Sequence, residues 1–398
     1  MMSKKKLIIF TDSGDTIIDE GSEKRPYDEI VYEAECIPGA KETYQRLKKE
    51  GYTLILVADG YTESFDRVYR FQQLEDLFDA RVTSEAVGAE KPSAKMFEAA
   101  MKAAGLTGRD KKRILMVGNN LSRDILGANR FGITSVLMRW SPRYPMEPET
   151  EEETPDYIIN TPSELEALAA RLEAQLEEEE LAFALKYCPY IFFDKKEPIP
   201  LRRIGYQVFT STSPSDSFPR TVQVKNGETV IEYAFFWDYD IQHMYDLEHI
   251  WVTVDSSGQI CGCQASFHGQ HLNMMWDRDN SLKTEDQTHV CLYSQPGKHA
   301  FMPHPDLFHL YPGLYSSCME EAGIFGLDAP APYRKDLPLT ASQNQIIKEH
   351  IRETYAFCPS MEFVRLPVWE NLLCPWESLK EEIPQRLKNE CIRLGILF

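Results

Sequence analysis

Leu7-Ile8-Ile9-Phe10-Thr11-Asp12-Ser13-Gly14-Asp15-Thr16 joins four apolar residues to a loop of small, acidic and hydroxyl side chains. A short, nearly continuous apolar run is what a strand buried on both faces requires. The pattern recurs: Leu54-Ile55-Leu56-Val57 ends at Ala58-Asp59-Gly60, and Ile114-Leu115-Met116-Val117 ends at Gly118-Asn119-Asn120, followed by Asp124. Lys91-Pro92 falls between the last two. Such strands alternating with helical patterns predict a parallel α/β sheet. Ligands bind outside the carboxyl ends of the strands in open sheets of this class, so Asp12, Asp59 and Asn119 are expected in one crevice.

Together the four runs resemble the haloacid dehalogenase-like hydrolase superfamily, most of whose members are magnesium-dependent phosphatases working through an aspartyl-phosphate. The resemblance covers about 170 of the 398 residues. It implies a Rossmann-like parallel sheet with Asp12 as nucleophile and Thr16 fixing the loop. Ala58, Asp59 and Gly60 would stand at the substrate phosphate, and Lys91 would neutralise the transferring group. Mg2+ would be held around Asp12, Gly14, Asn119 and Asp124. The residue types suit the chemistry, since a carboxylate accepts a phosphoryl group while a cation and a lysine spread the charge of a loose transition state.

Three positions depart from the family pattern. The family's general acid lies two residues after the nucleophile, where this chain has Gly14, with the acid Asp15 one step later. Counting from the strand end would instead put Thr11 in the nucleophile slot; the register anchored on Thr16 keeps an aspartate there. Ala58 replaces a hydroxyl residue and can reach a phosphate oxygen only through its backbone. Asn119 replaces a metal-ligating acid, and an amide holds a hard cation less tightly than a carboxylate. The expectation is a slow phosphatase, or one selective for activated esters or anhydrides.

Only about 20 residues separate the Asp12 loop from a helix expected between Pro38-Gly39 and Lys49, so no large cap domain fits there. Arg139-Trp140-Ser141-Pro142-Arg143-Tyr144-Pro145 is a candidate lip whose Arg139 and Arg143 would meet an anionic substrate, against the plainer reading of a solvated loop. The net charge of −19 provides no basic stripe for nucleic acid or an anionic membrane. No stretch reaches the ~18 apolar residues of a membrane helix. Lys4-Lys5-Lys6 leads into a core-like strand, not a signal peptide, so a cytoplasmic location is expected. Nine cysteines, an odd number without a Cys-x-x-Cys pair, read as reduced and mostly buried thiols.

A chain of 398 residues implies two domains or so. Eight of the nine cysteines and all nine histidines lie after residue 185. The division reads as a hydrolase-like domain at 1–172, an acidic helical linker at 173–182, and a β-rich α+β domain with a helical tail at 183–398. Tyr157-Ile158-Ile159 is the expected last strand of the first part, followed by a helix opened by Ser163. Beyond Cys188, hairpins are expected from Thr221 to Val224 and Thr229 to Trp237 around Asn226-Gly227. A further pair joins Ile250 to Val254 with Ile260 to Phe267 around Ser257-Gly258. Helices are expected at Gln343 to Tyr355 and Glu377 to Leu394.

In this half, His243-Met244-Tyr245-Asp246-Leu247-Glu248-His249 enters the strand Ile250 to Val254, and alternation puts Asp246 and Glu248 on one face. The spacing, with Ala265-Ser266-Phe267-His268-Gly269 beyond it, resembles the metal-binding core of necrosis-inducing (NPP1-like) β-sandwich proteins over perhaps 70 residues. That implies a second divalent cation at His243, Asp246, Glu248 and His268, with no toxin function carried over. The alternative is polar side chains satisfying one another at a sheet edge. Three functions follow: a magnesium-dependent phosphohydrolase acting on a small phosphorylated metabolite with an accessory C-terminal domain, a weakened hydrolase-like scaffold carrying a ligand-binding β domain, or a hydrolase whose metal centre lies in the C-terminal half.

Overall fold

The computed structural model describes residues 5–397 apart from 28, 280, 336 and 367–369; Lys4 of the lysine run lies outside the described residues. The chain divides into two compact units, Met1–Glu178 and Glu179–Phe398.

In the first unit the strands β1 (Ile8–Thr11), β2 (Thr53–Ala58), β3 (Ala80–Thr83), β4 (Ile114–Gly118), β5 (Thr134–Met138) and β6 (Tyr157–Ile159) form one sheet in the order β3-β2-β1-β4-β5-β6. All its pairings are parallel. Each apolar run splits its side chains between two layers, because successive residues of a strand point to opposite faces. Ile8, Phe10, Ile55, Val57, Ile114 and Met116 join Met96, Phe97 and Ala100 of the helix Ala94–Ala103. Leu7, Ile9, Leu54, Leu56, Leu115 and Val117 join Tyr44 and Leu47 of the helix Ala40–Lys49, with Leu165 and Leu168 of the helix Glu164–Tyr187. Each such side chain stabilises the fold by about 1.5–3 kcal/mol on burial.

The chain moves outward from β1 to β2 and β3, then returns to β1's other side as β4. The strand order therefore reverses at β1, and the loops after β1 and β4 flank the crevice such a reversal opens. Among the described residues between β1 and the first helix there is no separate domain. Single antiparallel bridges at Ile18–Cys36 and Lys24–Glu33 fold that stretch into a narrow ribbon with one 3-10 turn, Glu20–Ser22.

In the second unit the strands Gln270–Asn273, Ile260–Phe267, His243–Val254, Thr229–Tyr239 and Arg203–Phe209 pair antiparallel in that order, with Leu373–Pro375 parallel at the last edge. A second sheet is built around Tyr190–Asp194 and His289–Ser294. The expected helices occur as Ala341–Tyr355 and Trp376–Arg393, burying Ile347, Ile351, Leu379, Ile383 and Leu387. The hairpin at Asn226-Gly227 does not form as expected: Thr221–Val222 pairs with Ser213–Pro214 instead. The turn is present, with Gly227 at φ 85°. Thr229–Tyr239 is buried along nearly its whole length and needs long partners on both sides, which a two-residue strand is not.

Glu173, buried in the helix Glu164–Tyr187, accepts hydrogen bonds from the backbone N–H groups of Lys6 (2.9 Å) and Leu7 (2.8 Å) at the entry to β1. Glu173→Leu removes the acceptor from the buried Leu7 N–H, at about 1–3 kcal/mol for an unsatisfied group. Hydrogen exchange read by mass spectrometry is expected to show the β1 amides exchanging faster in this variant, with the amides of the second unit unchanged.

Candidate active site

Four loops deliver charge to the crevice. Asp12 is the first residue past β1, and its N–H is held by Val117 O at 2.8 Å. Lys91 comes from the turn ahead of Ala94–Ala103, and its own N–H donates to Asp59 Oδ1 (3.0 Å) beyond β2. Asp124 lies on a single π-helical turn, Leu121–Ile125, whose start Asn120 caps by accepting from Arg123 N–H (3.2 Å). Lys91 Nζ sits 2.6 Å from Asp12 Oδ1 and 2.6 Å from Asp124 Oδ1. The side chains of Lys91 and Asp124 are each 1% exposed, so the pair interacts away from water. Gly118 makes room for it, because a Cβ there would fall on the Asp124 carboxylate.

Burial raises Asp12 to about 7; Lys91 opposes the rise, and Asp124 and Asp59 add to it. Burial raises Asp124 as well, again against Lys91. Burial alone would lower Lys91, but Asp12, Asp124 and Asp59 hold it above the ordinary lysine value, so it remains an ammonium. Three carboxylates thus face one buried ammonium and the half-exposed Arg123, which pairs with Asp59 at 3.3 Å.

That excess of negative charge suits a divalent cation. Asp12, Asp124 and Asn119 all line the pocket. Asn119 is 2% exposed, and its buried Nδ2 has no hydrogen-bond partner among the described residues, a donor left for an anionic oxygen such as a phosphate's and not for a cation. Among the described residues no three His, Cys, Asp or Glu side chains gather as metal ligands. Mg2+ does not demand that, since it commonly takes one or two carboxylates and completes its shell with water and substrate phosphate. The donor set fits.

The pocket above these groups has a volume of about 440 Å³, the scale of a small-molecule site. The ribbon supplies Glu20, Glu23, Arg25 and Val31 to its wall, and Tyr144 comes from the loop after β5. Ala58, Asp59 and Gly60 also line it, although the Gly60 N–H already donates to Ser84 Oγ at 2.9 Å.

Several expected residues lie elsewhere. Thr11 is fully buried, its hydroxyl 2.7 Å from Tyr44 Oη and outside the pocket wall. Thr16 is fully buried, with no hydrogen-bond partner for its hydroxyl among the described residues, and backbone bonds from Ile17 and Ile18 to Ser13 O, both 2.9 Å, hold the loop. Asp15 is fully buried at φ 44°, with Oδ2 accepting from Arg143 Nε (2.7 Å) and Oδ1 from Glu20 N–H (3.1 Å). Arg143 is committed to that carboxylate and Arg139 donates to Asn160 Oδ1 at 3.2 Å, so neither arginine lines the pocket. Glu20, Arg25 and Arg123 went unnoticed in sequence, and Tyr144 was read only as part of the candidate lip. Only Arg123, next to Asp124, carried a local signal.

The expected second cation site finds no support among the described residues. His243 Nδ1 bonds Tyr245 O (2.7 Å), Glu248 accepts from Ser266, and His268 bonds Gln295 Oε1 (2.9 Å). Asp246 accepts from His299 Nδ1 at 2.7 Å, while Lys298 pairs with Asp240. Burial works against a charge on His299, yet its hydrogen bond to Asp246 and the Glu197 carboxylate 3.6 Å from Nε2 raise it to about 9. Burial, then Asp246, pushes Glu248 up to about 8. Protein cations therefore occupy the place the metal was expected to fill.

Residues 4–132 match the family model for haloacid dehalogenase-like hydrolases, which places this stretch in that family of hydrolases. A glyceraldehyde 3-phosphate phosphatase of Pyrococcus furiosus is 32% identical over 133 residues, 33% of this chain and 54% of the relative. The pyrophosphatase PpaX of Bacillus mycoides is 30% identical over 146 residues, 37% of this chain and 64% of the relative. The chain spans about half the length of the phosphatases it matches, 54% for the first two. The solved structure of an uncharacterized protein from Listeria monocytogenes serotype 4b aligns with 41% of this chain and 99% of its own at 23% identity and TM-score 0.34. No helix of the described residues is long and apolar enough to cross a membrane.

An acid whose pKa is raised on folding stabilises the folded state below its unfolded value and loses that contribution as pH rises through the folded one. For Asp12 the window runs from about 4 to about 7. Asp12→Asn is therefore expected to raise the melting temperature of the first unit at pH 8 in chelator. The gain shrinks as pH falls through 7 and vanishes below about 4, as read by thermal unfolding across pH.

Proposed function

We propose that the first unit is a phosphohydrolase that uses Mg2+ and an aspartyl-phosphate intermediate on a small phosphorylated metabolite. The observation that carries this reading is the buried lysine bridging Asp12 and Asp124 at the floor of a metabolite-sized pocket, at the strand reversal. The phosphatase names of the partial relatives support the same chemistry.

Asp12 attacks phosphorus. Lys91, bound to its Oδ1, orients the carboxylate and keeps a positive charge beside the phosphoryl oxygens, and such fixed charge in a dry site acts more strongly than in water. Arg123, 46% exposed at the rim, adds a cation on the solvent side. Ala58 leaves its place on the wall without a hydroxyl, so phosphate contacts there come from backbone. A cation held by Asp12, Asp124 and Asn119 would neutralise phosphoryl charge and return Asp12 to the ionised form that attack requires. The domain limits 1–172 and 183–398 and an accessory role for the second domain belong to this proposal.

The test is phosphate release from a panel of esters, acyl phosphates and nucleotides with Mg2+, for wild type and Asp12→Asn side by side. Wild type is expected to turn over at least one panel member, and the variant to lose that turnover by orders of magnitude. Activity that survives Asp12→Asn contradicts the mechanism. A wild type inert to the whole panel favours the scaffold reading.

A further inference from the structure

Nothing so far donates a proton to the leaving group. Lys91 is locked between two carboxylates, and Asp15, the acid next to Gly14, is enclosed by Arg143 and the Glu20 backbone. One carboxyl is placed differently. Glu20 stands on the 3-10 turn of the ribbon, lines the pocket with Asp12, and is 27% exposed at its side chain. Its carboxyl lies over the α-carbon of Gly14, so that a Cβ built on Gly14 would fall on Glu20 Oε1. Gly14 is not in the left-handed region, so what calls for glycine here is the space that Glu20 takes. On its far side Glu20 Oε2 accepts from Tyr144 Oη at 3.2 Å, with Arg143 Nε 3.5 Å away. The loop after β5 thereby withdraws Asp15 and aims Glu20 with adjacent residues.

We propose that Glu20 is the general acid and base of this site, reaching the reacting atoms through the space left by the missing side chain of Gly14; the inference rests on the phosphohydrolase reading. In the first half-reaction Asp12 forms an oxygen–phosphorus bond as the bond to the alcohol oxygen breaks, and Glu20 gives its proton to that oxygen. In the second, the Glu20 carboxylate takes a proton from a water whose oxygen bonds to phosphorus as the bond to Asp12 breaks. Orthophosphate leaves, and Asp12 is ionised and Glu20 protonated as at the start. Tyr144 is a positioning residue, holding Oε2 so that Oε1 faces the crevice.

A general acid contributes about 10²–10⁴-fold, and mainly where the leaving group is a poor one. Glu20→Gln keeps the side chain's size and its acceptor for Tyr144. It is expected to lower kcat/KM for alkyl phosphates by that factor while leaving aryl esters with activated leaving groups and acyl phosphates within a few-fold, so the dependence of rate on leaving-group pKa steepens. Glu20→Ala empties the space over residue 14, and adding Gly14→Asp in that background places a carboxyl there. Partial recovery of alkyl phosphate turnover in the double variant is expected, which a purely structural loss would not allow. Equal loss on all leaving groups, or no loss on alkyl phosphates, overturns the assignment. Wild type releasing phosphate from every class independently of Asp12 overturns the underlying mechanism instead, and the assignment with it.

Discussion

The ammonium of Lys91, held by two carboxylates at 2.6 Å and almost out of contact with water, is the interaction on which the rest of the first unit depends. Buried charges are tolerated only when paired, and removing the shared ammonium, which leaves both buried carboxylates unpaired, typically costs about 3–5 kcal/mol. Each partner arrives from a different loop, so the ion cluster fixes where β1, β4 and the turn before Ala94–Ala103 end relative to one another. Gly118 is bound by the same requirement, since the Asp124 carboxylate fills the space its side chain would take.

The cluster is left short of positive charge, which links structure to chemistry. An Asp12 raised to about 7 is a poor nucleophile near neutrality without a further cation. Ionised Asp12 therefore carries an electrostatic cost in the folded protein, from burial first and then from Asp124 and Asp59, that a bound dication can relieve. The same logic ran to the opposite end in the second unit. There His299 and Lys298 lie among Asp240, Asp246 and Glu197, and protein cations neutralise the carboxylates.

The sheet was readable because its strands are continuous apolar runs ending in polar loops, and that signal is local. Asp12, Asp59 and Asn119 were expected in one crevice for the same reason, each following a strand, whereas Lys91 and Asp124 joined them only through the family resemblance. The ribbon was not, because Glu20 reaches the pocket by folding back over Gly14, and only three-dimensional structure shows that Gly14's empty side is filled. Arg143 was a candidate substrate contact by its charge and its place in the lip, whereas the nearest anion in space is Asp15. In the second unit the His-x-x-Asp-x-Glu spacing was visible, but Lys298 and His299, some fifty residues on, decide what those carboxylates meet.

The most direct measurement is an acid-quenched single turnover of a phosphate ester labelled with ³²P, followed by peptide mapping. The mechanism predicts an acid-stable, hydroxylamine-labile phosphoryl group on the peptide carrying Asp12, absent from Asp12→Asn. Phosphate released with no label on that peptide, or label on any other residue, would contradict it.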